Sequence, residues 1–194
     1  MIVNNTTKKE QHMKNKLSVL IATFLLCSIG AVLAQSPIQN KGDVTLNVKL
    51  EQIMELKINQ TSVDLVYSTM QHYNDGVSET INDQITVSAT GGFKIQVVAT
   101  EFSNVPDGKT FPLNSVSIQA IQGTTNPITA QGFGTAALNL STTTQTLFTS
   151  NDGGFEKNFG VKYTGAKDNA YFNILGTETD RTVTTTVTYT IVAQ

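Results

Sequence analysis

The sequence predicts an all-β protein, an immunoglobulin-like β-sandwich of about seven to nine short strands. Three observations support this prediction. Runs of β-branched and aromatic residues alternate with polar residues, as half-buried strands do. Gly, Asn, Asp and Pro separate these runs at intervals typical of turns. After Ala34, no segment has a clear helical pattern. A β-barrel is the competing architecture.

The N-terminal part has the pattern of a secretory signal peptide. Lys14 and Lys16 precede an apolar run, residues 17–34, which ends at Ala34 and is followed by Gln35. A basic start, an apolar stretch and a small residue at the end are the three parts of such a signal. A membrane anchor is the alternative, because eighteen apolar residues could almost span a bilayer. We expect segment 1–34 to be removed on export and 35–194 to form one domain in the periplasm, at the cell surface or outside the cell.

The amino-acid composition limits which bonds can stabilise the exported chain and which partners it can bind. The only cysteine, Cys27, lies in the signal segment, so no disulfide is expected after processing. From Gln35 onward, nine Lys and Arg stand against fourteen Asp and Glu. A chain with scattered, net negative charge lacks the basic face that nucleic acid requires. We therefore expect no nucleic-acid partner, and no stable membrane span in the mature chain.

The first alternating run of the mature chain lies between Asp43 and Glu51. Its polar members are Thr45, Asn47 and Lys49. Its apolar members are Val44, Leu46, Val48 and Leu50. Part of this region also fits helical spacing, and "LEQIMELK" contains good helix formers. We predict a strand because both flanks have strand-like patterns.

Further strands follow in the middle of the chain. Residues 63–67 alternate briefly, and Asn74, Asp75 and Gly76 then predict a loop. Residues 85–89 and 93–99 alternate on either side of two glycines. These two runs predict a tight hairpin or one long strand bent at the glycines.

The C-terminal third is rich in Thr and Gly. Residues 116–120 alternate, and a short strand is expected within 138–148. In the next run, one face is predicted to carry Phe155, Phe159, Val161 and Tyr163. The final strand alternates most clearly of all, with threonines on the other face. Its predicted core residues are Val183, Val187, Tyr189 and Ile191.

No arrangement of residues points to catalysis, a metal or a cofactor. His72 is the only histidine after the signal segment, and it lies in a turn-rich loop. One histidine without cysteines supplies too few ligands for a zinc site, and no G-x-S-x-G motif is present. Tyr67, Tyr73 and Tyr171 could line a carbohydrate site, although tyrosines at strand edges or in a core have the same pattern. We therefore predict a structural or binding protein and not an enzyme.

Three stretches resemble the subunits of chaperone–usher pili, in particular the archaic, spore-coat-U-like pilins. They are "GDVTLNVKLEQIMELKINQTSVDL", "QITVSATGGFKIQVVAT" and "LGTETDRTVTTTVTYTIVAQ". The terminal pattern of those pilins is matched by Gly176, Thr177, Thr182, Val183, Thr186, Val187, Tyr189 and Ile191. Thr177 replaces their usual Tyr, and their frequent disulfide is missing. The ending also resembles WxL-type surface domains, but the Trp-x-Leu motif is lacking.

The pilin resemblance implies a particular mode of assembly. In those subunits the immunoglobulin-like fold lacks its last strand, and a neighbour's N-terminal extension fills the groove. The donor residues here would be Val44, Leu46, Val48 and Leu50. The implied partners are copies of the chain or related subunits, a periplasmic chaperone and an outer-membrane usher. Two other possibilities remain: a monomeric surface module that binds glycan or peptidoglycan, with its first strand paired within its own chain, and, less favoured, a secreted enzyme.

Overall fold

A computed structural model describes residues 40–128, 133 and 136–194 of the chain. The predicted signal segment lies outside the described residues. By their internal contacts, the residues fall into two compact units, Met1–Val48 and Lys49–Gln194. The second unit contains every strand described below.

The described part of Lys49–Gln194 forms eight strands in two antiparallel sheets. The strands are β1 Met54–Ile58, β2 Ser78–Ala89, β3 Phe93–Ala99, β4 Ser117–Gln122, β5 Leu138–Asn139, β6 Gln145–Ser150, β7 Gly154–Thr164 and β8 Val187–Ala193. Five strands form sheet A in the order β1-β2-β7-β4-β5, and three form sheet B in the order β6-β3-β8. The predicted all-β sandwich is confirmed.

The core lies between the two sheets and follows from the alternation of each strand. Its fully buried large side chains come from four strands: Ile85 and Val87 on β2, Phe93 and Ile95 on β3, Ile118 on β4, and Phe159 and Val161 on β7. Successive side chains of a strand point to opposite faces, so one face of each sheet fills this core and the other faces solvent.

The two glycines after β2 form a corner between the sheets. β2 pairs with β1 and β7, whereas β3 pairs with β6 and β8. The runs on either side of Gly91 and Gly92 therefore belong to different sheets. The predicted tight hairpin does not form, and the long strand bent at glycine is the closer description. Gly92 suits this corner because a Cβ there would lie 2.9 Å from the backbone oxygen of Asn151.

A short helix occupies part of the loop predicted around residues 74–76. This helix, α1, spans Met70–Asp75. The Thr69 hydroxyl accepts a hydrogen bond from the backbone N–H of His72 at its N-terminus, over 3.2 Å. Gly76 ends the helix with a positive φ of 80°. Capping by Thr and termination by Gly thus form one helical turn where turn residues alone predict a loop. A second short element, a 3-10 helix, covers Leu113–Ser115.

Phe155 does not share the inward face of β7, contrary to the prediction. Its side chain is 75% exposed, whereas Phe159 and Val161 are fully buried. The next residue, Glu156, has a positive φ of 48°. The pairing of β2 with β7 also shifts register near this point, between Val87 and Ala89. Such an irregularity inserts an unpaired residue and reverses the alternation locally.

Candidate functional site

The sandwich has an incompletely covered edge where β1 and β8 lie near each other. β1 is an edge strand of sheet A and β8 an edge strand of sheet B. The inward side chains of both strands are only half-buried, although they contact the core. They are Met54, Leu56, Ile58, Val187, Tyr189 and Ile191. We call these six residues and the two strand edges that carry them the open seam.

Cross-strand neighbours show that the exposure is confined to the edge strands. Ile191 pairs with Ile95, and Ile58 pairs with Ile85. Ile95 and Ile85 are both 0% exposed, but the two edge isoleucines, Ile58 and Ile191, are only partly buried. The apolar surface of the seam is therefore continuous with the core, and none of the described residues covers its outer side.

The strand order explains what is missing. An immunoglobulin constant-type sandwich has strands A, B, E and D in one sheet and strands C, F and G in the other. Here β1, β2, β7 and β4 occupy the first set of positions, and β3 and β8 occupy C and F. Among the described residues, no strand pairs with the outer edge of β8, where strand G would lie. The outer edge of β8 is thus available for an added strand.

A chain of hydrogen bonds connects the two sheets beneath the seam. The Gln84 amide nitrogen donates to the carbonyl of Gln60 over 3.1 Å. The hydroxyl of Tyr163 on β7 donates to the Gln84 amide oxygen over 3.0 Å. Because this uses the only proton of Tyr163, the hydroxyl of Tyr189 on β8 must donate to Tyr163, at 2.9 Å. The hydrogen bonds therefore all point the same way, from Tyr189 through Tyr163 to Gln84. They satisfy the side chain of Gln84, which is 3% exposed.

Tyr163 and Tyr189, which belong to these hydrogen bonds, stay neutral. Burial raises the pKa of Tyr163, with the hydrogen bonds from Tyr189 and to Gln84 acting in the opposite direction. Burial also raises the pKa of Tyr189, and the nearby Tyr163 adds to this rise. An un-ionised pair means that the seam keeps the same hydrogen bonds across the ordinary pH range. Sequence reasoning missed Gln84; the one available signal was Asn82 and Asp83, which break the alternation between Ile81 and Ile85.

The segment that follows β1 adds apolar side chains to the core. Val63 and Leu65 are half-buried and contact the core, whereas Val66 is 59% exposed. Residues 60–68 are assigned to no strand. The alternation predicted for 63–67 is thus visible in burial but not in a ladder of backbone hydrogen bonds.

The four predicted donor residues are among the most exposed apolar side chains described. The exposed fractions are 92% for Val44, 84% for Leu46, 73% for Val48 and 88% for Leu50. Residues 40–53 are assigned to no helix or strand, and β1 begins only at Met54. The strand predicted here is therefore not formed in the single chain, because a strand needs a partner for its backbone N–H and C=O groups. The alternative helix is not formed either.

The predicted core residues of the final strand lie in two environments. Val187, Tyr189 and Ile191 belong to β8 and to the open seam. Val183 lies before the strand and is half-buried, next to an isolated bridge between Thr184 and Ser103. Thr188 and Thr190 are exposed on the other face of β8.

The three tyrosines considered for carbohydrate binding lie in one aromatic cluster. The ring of Tyr67 is 5.4 Å from that of Tyr73 and 5.0 Å from that of Tyr171. Tyr171 is buried and stacks on Phe111 at 4.3 Å, so it is a core residue. Burial is the main cause that raises the pKa of Tyr67 to about 12. Phe172, beside Tyr73, is the outermost ring at 50% exposure.

The histidine and the acidic side chains do not form a further site in the described part of the chain. His72 lies in α1, where its Nδ1 accepts a hydrogen bond from the backbone N–H of Ser68 at 3.2 Å. Within the described ranges, no three His, Cys, Asp or Glu side chains gather in a way that could hold a metal ion. Over the same residues, no helix is long and apolar enough to cross a membrane.

Comparison of the sequence with protein-family models and with curated proteins found no match. The candidate site therefore rests on the geometry of the open seam and on the alternating pattern of residues 44–50.

Proposed function

We propose that the chain is an exported structural subunit of a surface fibre or adhesive pilus, assembled by strand addition. The observation that carries this proposal is the open seam, where no part of the chain that the structure describes covers the inward side chains of β1 and β8 from outside. An uncovered edge strand beside apolar side chains is the acceptor in strand-addition complexes.

The donor in this proposal is the extension that contains Val44, Leu46, Val48 and Leu50. It spans seven residues, the same length as β8, which spans Val187–Ala193. Its exposed apolar side chains recur at every second position, as required of a strand that lays one face on a core. The polar residues between them would face solvent. An exposed apolar stripe and an uncovered apolar seam in one chain are complementary surfaces.

The expected free energies favour a stable contact between subunits only if the whole extension takes part. Burying a Val or Leu side chain stabilises by about 1.5–3 kcal/mol, so four together contribute roughly 6–12 kcal/mol. Association costs an estimated 4–15 kcal/mol in lost freedom of motion. Backbone hydrogen bonds along the edge of β8 must therefore contribute as well. Removing even two of the four side chains should shift the balance towards separate subunits.

The proposed partners follow from the same mechanism and from the pilin resemblance. Copies of the chain or related subunits supply donor strands. A periplasmic chaperone would cover the seam before assembly, and an outer-membrane usher would export the subunits. Export through segment 1–34 is part of this proposal. A monomeric module that binds glycan is less favoured, because Tyr171 is buried, Tyr67 and Tyr73 are partly buried, and Phe172 is the exposed ring of their described cluster.

The test compares two double variants of the chain that begins at Gln35. Leu46→Asp with Val48→Asp places charges on the apolar face of the extension. The control, Thr45→Asp with Asn47→Asp, adds the same charge to its other face. We expect the parent and the control to assemble with increasing concentration in sedimentation velocity, and the apolar-face variant to remain monomeric.

A synthetic peptide of residues 40–52 completes the test. It should raise the unfolding midpoint of the apolar-face variant, because a ligand at about 100 times its Kd stabilises by about 2.7 kcal/mol. Equal assembly of both double variants, or no response to the peptide, would contradict the proposed function.

A further inference from the structure

Three Asp-Gly dipeptides lie in the described chain, at Asp75, Asp107 and Asp152. An aspartate before glycine can close a ring on its own backbone, because glycine has no Cβ to obstruct the approach. We propose that Asp107 is a site of spontaneous isomerisation to isoaspartate in the folded protein, and that the fold protects the other two aspartates. This modification needs neither the open seam nor the assembly of subunits.

The reaction is an internal condensation followed by hydrolysis. The backbone nitrogen of Gly108 attacks the side-chain Cγ of Asp107, so an N–Cγ bond forms and the Cγ–O bond of the protonated carboxyl breaks. The amide proton and the hydroxyl leave together as water, which gives a cyclic succinimide. Water then opens the ring at one of its two carbonyls. Cleavage of the N–Cγ bond restores aspartate, and cleavage at the backbone carbonyl gives isoaspartate.

Ring closure requires the peptide between the two residues to rotate, because its nitrogen must turn towards Cγ. The peptide between Asp107 and Gly108 is the central peptide of a turn. The Lys109 N–H donates to the carbonyl of Pro106 over 3.0 Å, and Gly108 has a positive φ of 71°, as in a type II turn. Type I and type II turns share this outer hydrogen bond and differ in the orientation of the central peptide, so rotation leaves the turn intact.

The described structure places no restraint on this central peptide. Asp107 and Gly108 are both exposed, and no atom beyond the chain neighbours lies within 4 Å of the position for a Cβ on Gly108. Among the described residues, no hydrogen bond holds the carbonyl of Asp107 or the N–H of Gly108. The tip of the loop is therefore free to reach the conformation that ring closure needs.

The two ends of this loop are fixed, so the change stays at its tip. The rings of Phe102 and Phe111 are 4.5 Å apart and close the loop. Asn104 Nδ2 donates to the carbonyl of Thr182 over 2.7 Å. Isomerisation brings the side-chain carbon into the backbone of the turn and retains the carboxylate. We therefore expect a local change of shape without a change in net charge or a loss of fold.

The end of α1 protects Asp75. The Gly76 N–H donates to the carbonyl of His72 over 3.0 Å, so the nitrogen that would attack is already bonded. A Cβ on Gly76 would lie 3.0 Å from the carbonyl oxygen of Gly165, so this backbone is closely packed. Rotation of the peptide between Asp75 and Gly76 would break the hydrogen bond that ends the helix.

The corner between the sheets protects Asp152. Its carbonyl accepts a hydrogen bond from the hydroxyl of Ser150 over 2.7 Å, and Ser150 is 1% exposed. A Cβ on Gly153 would clash with the carbonyl oxygen of Ala89. Rotation here would break a bond to a buried hydroxyl and move a backbone that has no room. All three aspartates are exposed, so what separates them is the restraint on the peptide that follows each one.

The test follows the three sites in one digest, because trypsin places each of them on a different peptide. The peptides are 58–94, 95–109 and 110–157, which contain Asp75, Asp107 and Asp152 in that order. The chain from Gln35 is aged in the folded state and, in parallel, in guanidinium chloride. Liquid chromatography with mass spectrometry detects isoaspartate as a peptide of unchanged mass and altered retention, and succinimide as a peptide that lacks one water.

In the folded protein, isoaspartate should accumulate in peptide 95–109 at least about tenfold faster than in the other two, because a protected segment reacts only from rarely opened states. In guanidinium chloride the three rates should become similar. The control, Asp107→Glu, keeps the charge but would need a larger ring, so it should abolish the modified form of this peptide and leave the other two unchanged.

Similar rates at the three sites of the folded protein would overturn the inference. So would an unmodified Asp107 in folded protein beside ready isomerisation of the same residue in guanidinium chloride, because the turn would then protect this site as well.

Discussion

The two edge strands of sheet B, β6 and β8, differ in how far their apolar side chains are buried. β6 and β8 both flank β3, so Ile95 has Phe148 on one side and Ile191 on the other. Phe148 is 5% exposed, whereas Ile191 is only half-buried. Phe148 is covered by the rings of Phe133, at 4.4 Å, and Phe159, at 4.8 Å. No such cover from the described residues lies over Ile191.

The sequence pattern of a strand therefore predicts which of its side chains are apolar and point inward, but not whether other segments cover them. We call the region around β4, β5 and β6 the closed side. There, segments between strands supply the cover through Leu113, Ile128 and Leu140, which are all buried. At the open seam, the corresponding position is that of strand G beside β8, which none of the described strands occupies. The described residues thus cover one side of the core more completely than the other.

The largest expected effect tests this comparison at matched isoleucines. Ile118→Ala on the closed side should lower the free energy of unfolding by about 2–5 kcal/mol, because it leaves a cavity at a 0% exposed position. Ile191→Ala at the open seam should cost less than half as much in the isolated chain, because solvent already reaches that side chain. Urea denaturation measures both.

Binding of the peptide of residues 40–52 should then raise the cost of Ile191→Ala towards that of Ile118→Ala. Thr188→Ala, on the exposed face of β8, is the control and should change stability by no more than about 0.5 kcal/mol. Equal costs for the two isoleucines without the peptide would show that the seam is already covered.

A smaller effect is expected from the hydrogen-bond chain under the seam. Tyr163→Phe leaves the buried amide oxygen of Gln84 without its donor, which should cost about 1–3 kcal/mol in urea denaturation. Tyr189→Phe removes only the last link, so about 0.5–1.5 kcal/mol is expected. If Tyr189→Phe proved the more damaging change, the direction of the chain of bonds deduced above would be wrong.

The smallest expected effect is a dependence on acid at Asp83 of β2, whose carboxylate accepts hydrogen bonds from the loop after β4. Partial burial raises the pKa of Asp83, but hydrogen bonds from Thr124 and Thr125 outweigh it and leave this pKa below its usual value. A lowered folded-state pKa gives stability that is present above the unfolded value, about 3.9, and is lost as pH falls through the folded value. Asp83 thus holds the loop after β4 only while it is ionised.

The stability difference between the parent and Asp83→Asn should therefore be constant near neutral pH and shrink below about pH 4. Urea midpoints measured from pH 7 to pH 3 test this. The difference between the parent and Tyr189→Phe serves as the reference and should not change over the same range. A constant difference for Asp83→Asn would show that the loop does not depend on the carboxylate.

Several parts of the fold were accessible from sequence because they depend on local pattern. The alternation of β8 predicted which side chains would point inward, and the apolar stripe from Val44 to Leu50 is evident in the order of residues alone. α1 was not predicted, because one turn capped by Thr69 and Gly76 carries little periodic signal. Phe155 was misplaced because a register shift depends on how two distant strands pair, and periodicity within β7 does not encode it.

The sequence by itself determined an all-β chain, since its period of two allows each strand one apolar face and leaves no strong helical alternative. Three features depend on the tertiary structure: β2 and β3 enter different sheets, Tyr163 bonds to both Gln84 and Tyr189, and β8 has no further strand beside it among the described residues. The physical reason is that these features depend on contacts between residues far apart in the chain. Tyr163 lies 79 positions from Gln84, and only the pairing of strands brings their polar atoms to within 3.0 Å.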